Sequence, residues 1–289
     1  MFLFFRLLSH LPLRWLHRLG AAAGWGAYLL SPRYRRHLHM NLAQAGFSSD
    51  VALRRAAVAE AGKQALEVAR IWMRSQAAAN AQVVEVEGWA AVEAAQAAGR
   101  GILFLTPHLG CFEIAAQYYA AFGDITVLYR PPKRETLRRM ILAGRQRERL
   151  RLAPADLSGV RSLIRALKKG EAVGMLPDQA PKAGEGVWLD FFGRPAYTMT
   201  LAARLSETGA TVLMAWGERL PDGRGYRLHF HPPDTVLAGD TRARAEEINR
   251  EIEALIRQCP AQYLWGYNRY KGVPTPSAPP HFSGNPPAS

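Results

Sequence analysis

Cysteine is scarce in this chain. There are two in 289 residues, Cys111 and Cys259, with no CxxC and no metal-ligand spacing around either. That argues against a disulfide-stapled scaffold and a structural metal site, and it suits a reducing compartment. Lysine is scarce too: the chain carries six, so its net charge of +13 is built almost wholly from arginine. A membrane-spanning apolar run is missing as well. The longest charge-free apolar stretch, Leu19 to Pro32, has 14 residues, against roughly 20 needed to cross a bilayer. No linker or internal repeat divides the body of the chain, and no motif in it calls for a metal or an organic cofactor.

Apolar residues make up 48% of the chain and charged ones 21%, a globular balance. The length suits one large α/β domain or two small ones. The positive excess implies an acidic partner: nucleic acid, an anionic membrane, or a phosphorylated or acidic substrate. Shared enrichment in Arg and Ala also fits biased codon usage, so charge alone does not choose among them.

Residues 1–31 form the first segment, rich in Phe, Leu and Trp but interrupted by Arg6, Arg14 and Arg18. With His10 and His17 these arginines recur at spacings near four, on one stripe of a helix. Phe2, Phe5, Leu8, Leu13, Leu16 and Leu19 take the opposite face. Pro12 is expected to kink or split this helix. The arginines also break the apolar segment that a cleaved signal peptide requires. Crowding of Phe and Trp beside Arg favours an interfacial helix anchored on an anionic membrane, over an apolar helix packed on the protein body; a full span aided by snorkelling arginines is the third alternative. Arg33, Arg35 and Arg36 continue the basic surface.

Residues 32–271 read as one α/β domain with a mostly parallel, mixed sheet flanked by helices. Ser49 or Asp50 caps a helix running to about Ala78. Strands are expected at 83–88, 102–106, 125–130 and 172–177, alternating with helices at 89–99, 110–122, 134–150 and 159–169. A Gly-rich loop over 184–193 precedes a helix at 197–208. Strands at 211–218 and 225–232 flank the turn "LPDGRG" as an antiparallel hairpin, and a last helix spans 241–257. The Pro/Ser-rich tail, 272–289, is expected to be disordered.

The stretch "GILFLTPHLGCFEIAAQYY" stands out, because a buried strand ends in a histidine and a helix follows. The spacing H-x4-[DE] occurs twice, at His108/Glu113 and His229/Asp234, and chance alone supplies nearly one such match. Context separates them. His229 lies inside a polar-edged strand, whereas His108 sits at a strand's carboxyl end, where open α/β sheets bind ligands. With His108 before the helix and Glu113 in its first turn, the carboxylate can hold one imidazole nitrogen and leave the other as base. A structural His–Glu hydrogen bond is the competing reading. Cys111, inside the motif, reads as a small buried hydrophobe.

"GRGILFLTPHLGCFE" resembles the H-x4-[DE] motif of the lysophospholipid acyltransferase superfamily. Further stretches are similar to its lipid A biosynthesis late acyltransferases: "RRHLHMNL" (35–42), "LYRPP" (128–132), "SLIRALKKGEAVGMLPDQ" (162–179), "FFGRPAYT" (191–198) and "PAQYLWGYNRYK" (260–271). The resemblance runs in order from about residue 30 to 272 and implies a glycerolipid-acyltransferase-like fold. It also implies an acyl-carrier-protein thioester donor, a glycolipid hydroxyl acceptor, and the cytoplasmic face of a Gram-negative inner membrane. His108 would be the general base, with Glu113 orienting it. Arg145, with Arg147 second, matches an important arginine of the family, a solvated basic helix face being the alternative for each. Asp178 ends a buried strand and points at the same crevice, to position Arg145, contact substrate or cap a loop. Arg130 is a candidate phosphate ligand. Trp188, Phe191 and Phe192 are candidates for an acyl-channel wall or for core.

Two other readings stand beside this one. A non-catalytic basic module binding membrane or nucleic acid would need aromatics interleaved with basic residues on exposed strands; these strands are apolar, which argues against nucleic acid. A superfamily relative acylating an ornithine lipid or a phosphatidylinositol mannoside would share the chemistry.

Overall fold

The computed structural model describes residues 2–132 and 134–272. Pro12 does split the N-terminal helix, into α1 (Phe2–Leu8) and α2 (Leu13–Leu30). The Ser31 side chain accepts the Tyr34 N–H to start α3 (Pro32–Gln44), a helix not expected from the sequence. Asp50, accepting from Leu53 N–H, starts α4 (Val51–Met73), as the capping pattern predicts. The chain continues through α5 (Gln76–Asn80), β1 (Val83–Glu87), α6 (Trp89–Ala98), β2 (Ile102–Leu105), α7 (Phe112–Tyr119) and β3 (Ile125–Tyr129). Next come α8 (Glu135–Arg145), β4 (Leu150–Pro154), α9 (Leu157–Lys168) and β5 (Ala172–Met175). After them run β6 (Gly186–Phe191), β7 (Arg194–Met199), α10 (Leu201–Ser206), β8 (Thr211–Arg219), β9 (Tyr226–His231) and α11 (Thr241–Gln258).

Seven strands form one sheet in the order β1-β9-β8-β2-β5-β3-β4. Every pairing is parallel except the β8–β9 hairpin. The mostly parallel sheet expected from the alternation is therefore present. β2 and β5 lie at its centre with every residue buried, the pattern of strands covered on both faces. Leu103, Leu105, Val173 and Met175 point to one core, shared with α3, α9, α10 and α11. Ile102, Phe104 and Ala172 point to the other, shared with α2, α4, α6 and α7.

Besides α3, and a break after Met73 that separates α5 from the helix expected to reach Ala78, two further segments differ from expectation. The helix expected over 134–150 stops at Arg145, and Leu150–Pro154 adds the edge strand β4. The edge position tolerates both its arginine and its terminal proline. The expected loop over 184–193 and the start of the following helix are instead the β6–β7 hairpin, and helix is confined to 201–206. Its two-residue turn, Phe192–Gly193, has φ of 50° and 69°. Positive φ at both positions suits a tight hairpin, but phenylalanine is an unusual occupant and gives no turn signal. Tertiary contacts hold it there: Phe192 N–H donates to Glu253, its carbonyl accepts from Gln44, and its ring packs on Phe191 and Trp265.

The N-terminal helices dock on the body. Leu16 is fully buried, and Leu8 and Leu13 nearly so; half of the apolar face assigned from the sequence is thus core. Contact between α2 and α4 is backbone-close, since a Cβ on Gly62 would lie 1.9 Å from the Gly20 carbonyl oxygen. Phe2 and Leu19 of that face are exposed instead, together with Leu3, Phe4, Leu7, Trp15, Leu29 and Leu30. No helix of the described residues is long and apolar enough to cross a membrane. Residues 273–289, in the expected tail, lie outside the described residues.

Candidate active site

Parallel register assembles the site. Leu105 pairs with Met175 at the carboxyl ends of β2 and β5. His108 and Asp178 each lie three residues further on, so adjacent strands deliver them to the same place. His108 Nδ1 lies 2.8 Å from Asp178 Oδ1, and the His108 backbone N–H donates to Asp178 Oδ2 at 3.0 Å. A carboxylate only accepts, so Nδ1 carries the proton and Nε2 holds the lone pair. Burial opposes charge on Asp178, which is 1% exposed, yet the His108 ring and backbone N–H hold its carboxyl below the ordinary range. Gln179 places its amide nitrogen 3.2 Å from His108 Nε2. The loop is braced from behind: Gln64 on α4 donates to the Gly110 carbonyl, and Leu264 N–H to the His108 carbonyl.

Glu113 lies in the first turn of α7, as expected, but its hydrogen bonds go to residues other than His108. Its oxygens accept from the Arg145 guanidinium, through Nε at 2.9 Å and through Nη2, and from Trp72 Nε1 at 3.1 Å. The expected contacts of the two carboxylates are therefore exchanged in this structure. Asp178 is bonded to the histidine, and Glu113 to Arg145, whose guanidinium also stands over the Trp72 ring. The physical reason is strand order: β5 neighbours β2, whereas the α7 turn points Glu113 toward the end of α8.

Arg147 is a buttress. It donates to the carbonyls of Ile71 and Arg74 at the end of α4, and burial lowers its pKa. Arg130 is exposed at the end of β3, on the same edge of the sheet as the crevice. Cys111 is buried, which pushes its thiol pKa well up and suits packing. Phe191 and Phe192 are core, while Trp188 is partly exposed on the outer hairpin. Beneath the Glu113–Arg145 pair runs a different slot, walled by Phe112, Val127, Leu128, Leu152 and Met175. The chance pair dissolves. His229 stacks on Trp216 and contacts Glu87 and Glu218, while Asp234 is exposed in the following loop.

Sequence reasoning missed Gln179, Gln64, Trp72 and a buried cluster beside the site. Arg219 on β8 grips Glu67 with two nitrogens at 2.7 and 2.6 Å and also reaches Glu60 and Gln262. Tyr226 donates to Glu67, and His17 lies 3.4 Å from it. The cluster ties α2 and α4 to the sheet. Arginine and glutamate 152 residues apart leave no local signal; Gln179 did lie in a quoted motif, one residue beyond Asp178.

A parallel α/β sheet with a histidine–carboxylate pair and an apolar slot at its carboxyl edge is the framework of an enzyme. The chain belongs to the bacterial lipid A biosynthesis acyltransferase family, whose model matches residues 1–272. It is similar to the lipid A biosynthesis lauroyltransferase of Escherichia coli K12, 29% identical over 93% of this chain and 90% of that protein. It is also similar to the myristoyltransferase of the same strain, 25% identical over 88% and 86%. To the palmitoleoyltransferase it is 30% identical, over 66% of this chain and 62% of the relative. The protein is an acyltransferase of lipid A biosynthesis.

Proposed function

We propose that this enzyme moves a fatty acyl chain from an acyl-carrier-protein thioester to a hydroxyl of a lipid A precursor. It works at the cytoplasmic face of a Gram-negative inner membrane, with His108 as general base. One observation carries the reading: His108 donates its Nδ1–H to a buried carboxylate and keeps the Nε2 lone pair, and its ring centroid lies 4.9 Å from that of Phe112, which walls an apolar slot. The acceptor hydroxyl takes the position now held by the Gln179 amide. Nε2 removes its proton as the oxygen attacks the thioester carbonyl, and the carbonyl electron pair moves to oxygen. Collapse of this intermediate breaks the C–S bond, and the imidazolium returns its proton to the departing thiolate. The products are an ester and a free carrier thiol, with no acyl-enzyme. Asp178 stabilises the transient imidazolium, and Arg145, held by Glu113 and lining the slot, supplies a side-chain donor for the developing oxyanion.

The slot walled by Phe112, Val127 and Met175 has the apolar lining an acyl chain needs, though its volume of about 40 Å³ must widen to admit one, and the net charge of +13 suits an acidic carrier. The apolar residues exposed on α1 and α2 support interfacial association with an anionic membrane. The test is acyl transfer from acyl carrier protein to a lipid A precursor. His108→Ala should remove nearly all activity, general-base catalysis alone supplying about 10²–10⁴-fold. Glu113→Gln should be severely impaired through loss of the Arg145 pair. A folded His108→Ala enzyme with near-normal turnover overturns the reading.

A further inference from the structure

A basic hollow lies away from the catalytic crevice, between the start of α2, the middle of α4 and the turn joining β8 to β9. It has a volume of about 300 Å³, and its lining includes Arg14, His17, Arg18, Lys63, Asp222 and Gly223. The wall is built by a close approach: Gly223 has φ of 69°, and a Cβ there would lie 2.4 Å from the Arg14 backbone nitrogen. His17 is buried against Glu67. Lys63 is paired with Glu60, which shares Arg219 with Glu67, so those four charges balance. Arg14 and Arg18 are different. Among the described residues no carboxylate lies within ion-pair distance of either, and Asp222 is the one acidic group in the lining. No acidic residue precedes Asp50 in the chain, so the segment supplies no counter-charge of its own. Both guanidinium groups stand over the Trp15 ring, at 6.0 and 4.8 Å.

We infer that this hollow binds the phosphate of an anionic membrane lipid, gripped by the guanidinium groups of Arg14 and Arg18. Two planar forks on one rim suit phosphate oxygens, which arginine engages through paired N–H bonds. The lipid source is argued from what borders the hollow. Trp15 and Leu19, each 48% exposed, lie beside the two arginines on the outer face of α2, and an aromatic ring next to basic groups is the composition of a headgroup-level anchor. The placement also bears on the proposed function, though it does not depend on it. Lys63 is followed on α4 by Gln64, which braces the loop carrying His108. A lipid phosphate seated in the hollow would hold the catalytic edge of the sheet at headgroup depth.

The experiment measures binding of the full-length chain to phosphatidylcholine vesicles with and without phosphatidylglycerol. Arg14→Gln/Arg18→Gln should weaken binding to the anionic vesicles by roughly tenfold or more. Arg14→Lys/Arg18→Lys keeps the charge but removes the forks, and should still weaken it by more than about threefold. Arg33→Gln/Arg36→Gln removes equal charge from exposed positions on α3 and should cost less than about threefold. Lysine variants that bind like the wild type, or an equal loss in the α3 pair, would reduce the effect to general surface charge and overturn the inference. Inorganic phosphate that displaces the protein where chloride of equal ionic strength does not would assign the hollow to a soluble phosphate and overturn the lipid source. Vesicle binding requires no acyl transfer, so these outcomes are independent of the His108 test.

Discussion

Asp178→Asn removes the charge from the carboxylate that holds His108 and keeps its shape. Oδ1 accepts from the ring at 2.8 Å and Oδ2 from the backbone N–H at 3.0 Å, so both oxygens are used. Asparagine offers one acceptor. With its oxygen toward the ring, its NH2 group confronts the His108 backbone N–H. Turned over, the NH2 group confronts Nδ1 and favours the tautomer with its proton on Nε2, which abolishes the base. In either orientation the charge that stabilises the imidazolium is lost. At an effective dielectric near 20, unit charges about 4 Å apart interact by about 4 kcal/mol, or roughly 10³-fold in rate. Turnover of acyl-carrier-protein thioester with a lipid A precursor should fall by about that factor, with KM little changed and the circular dichroism of the wild type. Nitrogen NMR of the imidazole should show a disturbed Nε2. A folded variant with turnover within about threefold of wild type would refute the assignment of Asp178 as the orienting carboxylate.

The same assay on His229→Ala and Asp234→Ala should show most activity intact, because these residues share the spacing of His108 and Glu113 but meet no crevice; a severe loss in a folded variant would mean the site extends to β9. The Glu67 cluster governs acid stability. Burial opposes ionisation there, but Arg219 and His17 outweigh it and bring the carboxyl from 4.5 down to about 2. A carboxyl depressed on folding adds stability that is complete above its unfolded pKa and is lost as pH falls through the folded value. Melting temperature should therefore drop between about pH 4.5 and 2. Glu67→Gln should flatten that slope and cost about 3–5 kcal/mol at neutral pH; an unchanged slope would reject this assignment.

What the sequence determined by itself was local. An apolar run ending in Thr-Pro-His marks a strand that terminates at a crevice, Pro12 breaks a helix because its ring cannot continue the hydrogen-bond ladder, and Asp50 caps one because its side chain supplies the acceptor. Alternating strands and helices require a mostly parallel sheet, whatever the strand order. The candidates His108 and Glu113 were visible in this way, and Arg145 and Asp178 chiefly through the resemblance to the family. Their partners were not. The histidine meets Asp178, seventy residues on, because β2 and β5 are neighbours, and strand order is settled by how helices cover both faces of the sheet. Glu113 is turned toward Arg145 by the docking of α8 against α4 and α7. The same is true of the N-terminal helices: amphipathic spacing is legible in residues 2–30, but which stripe is buried depended on the glycine contact between α2 and α4, made by residues some forty positions apart.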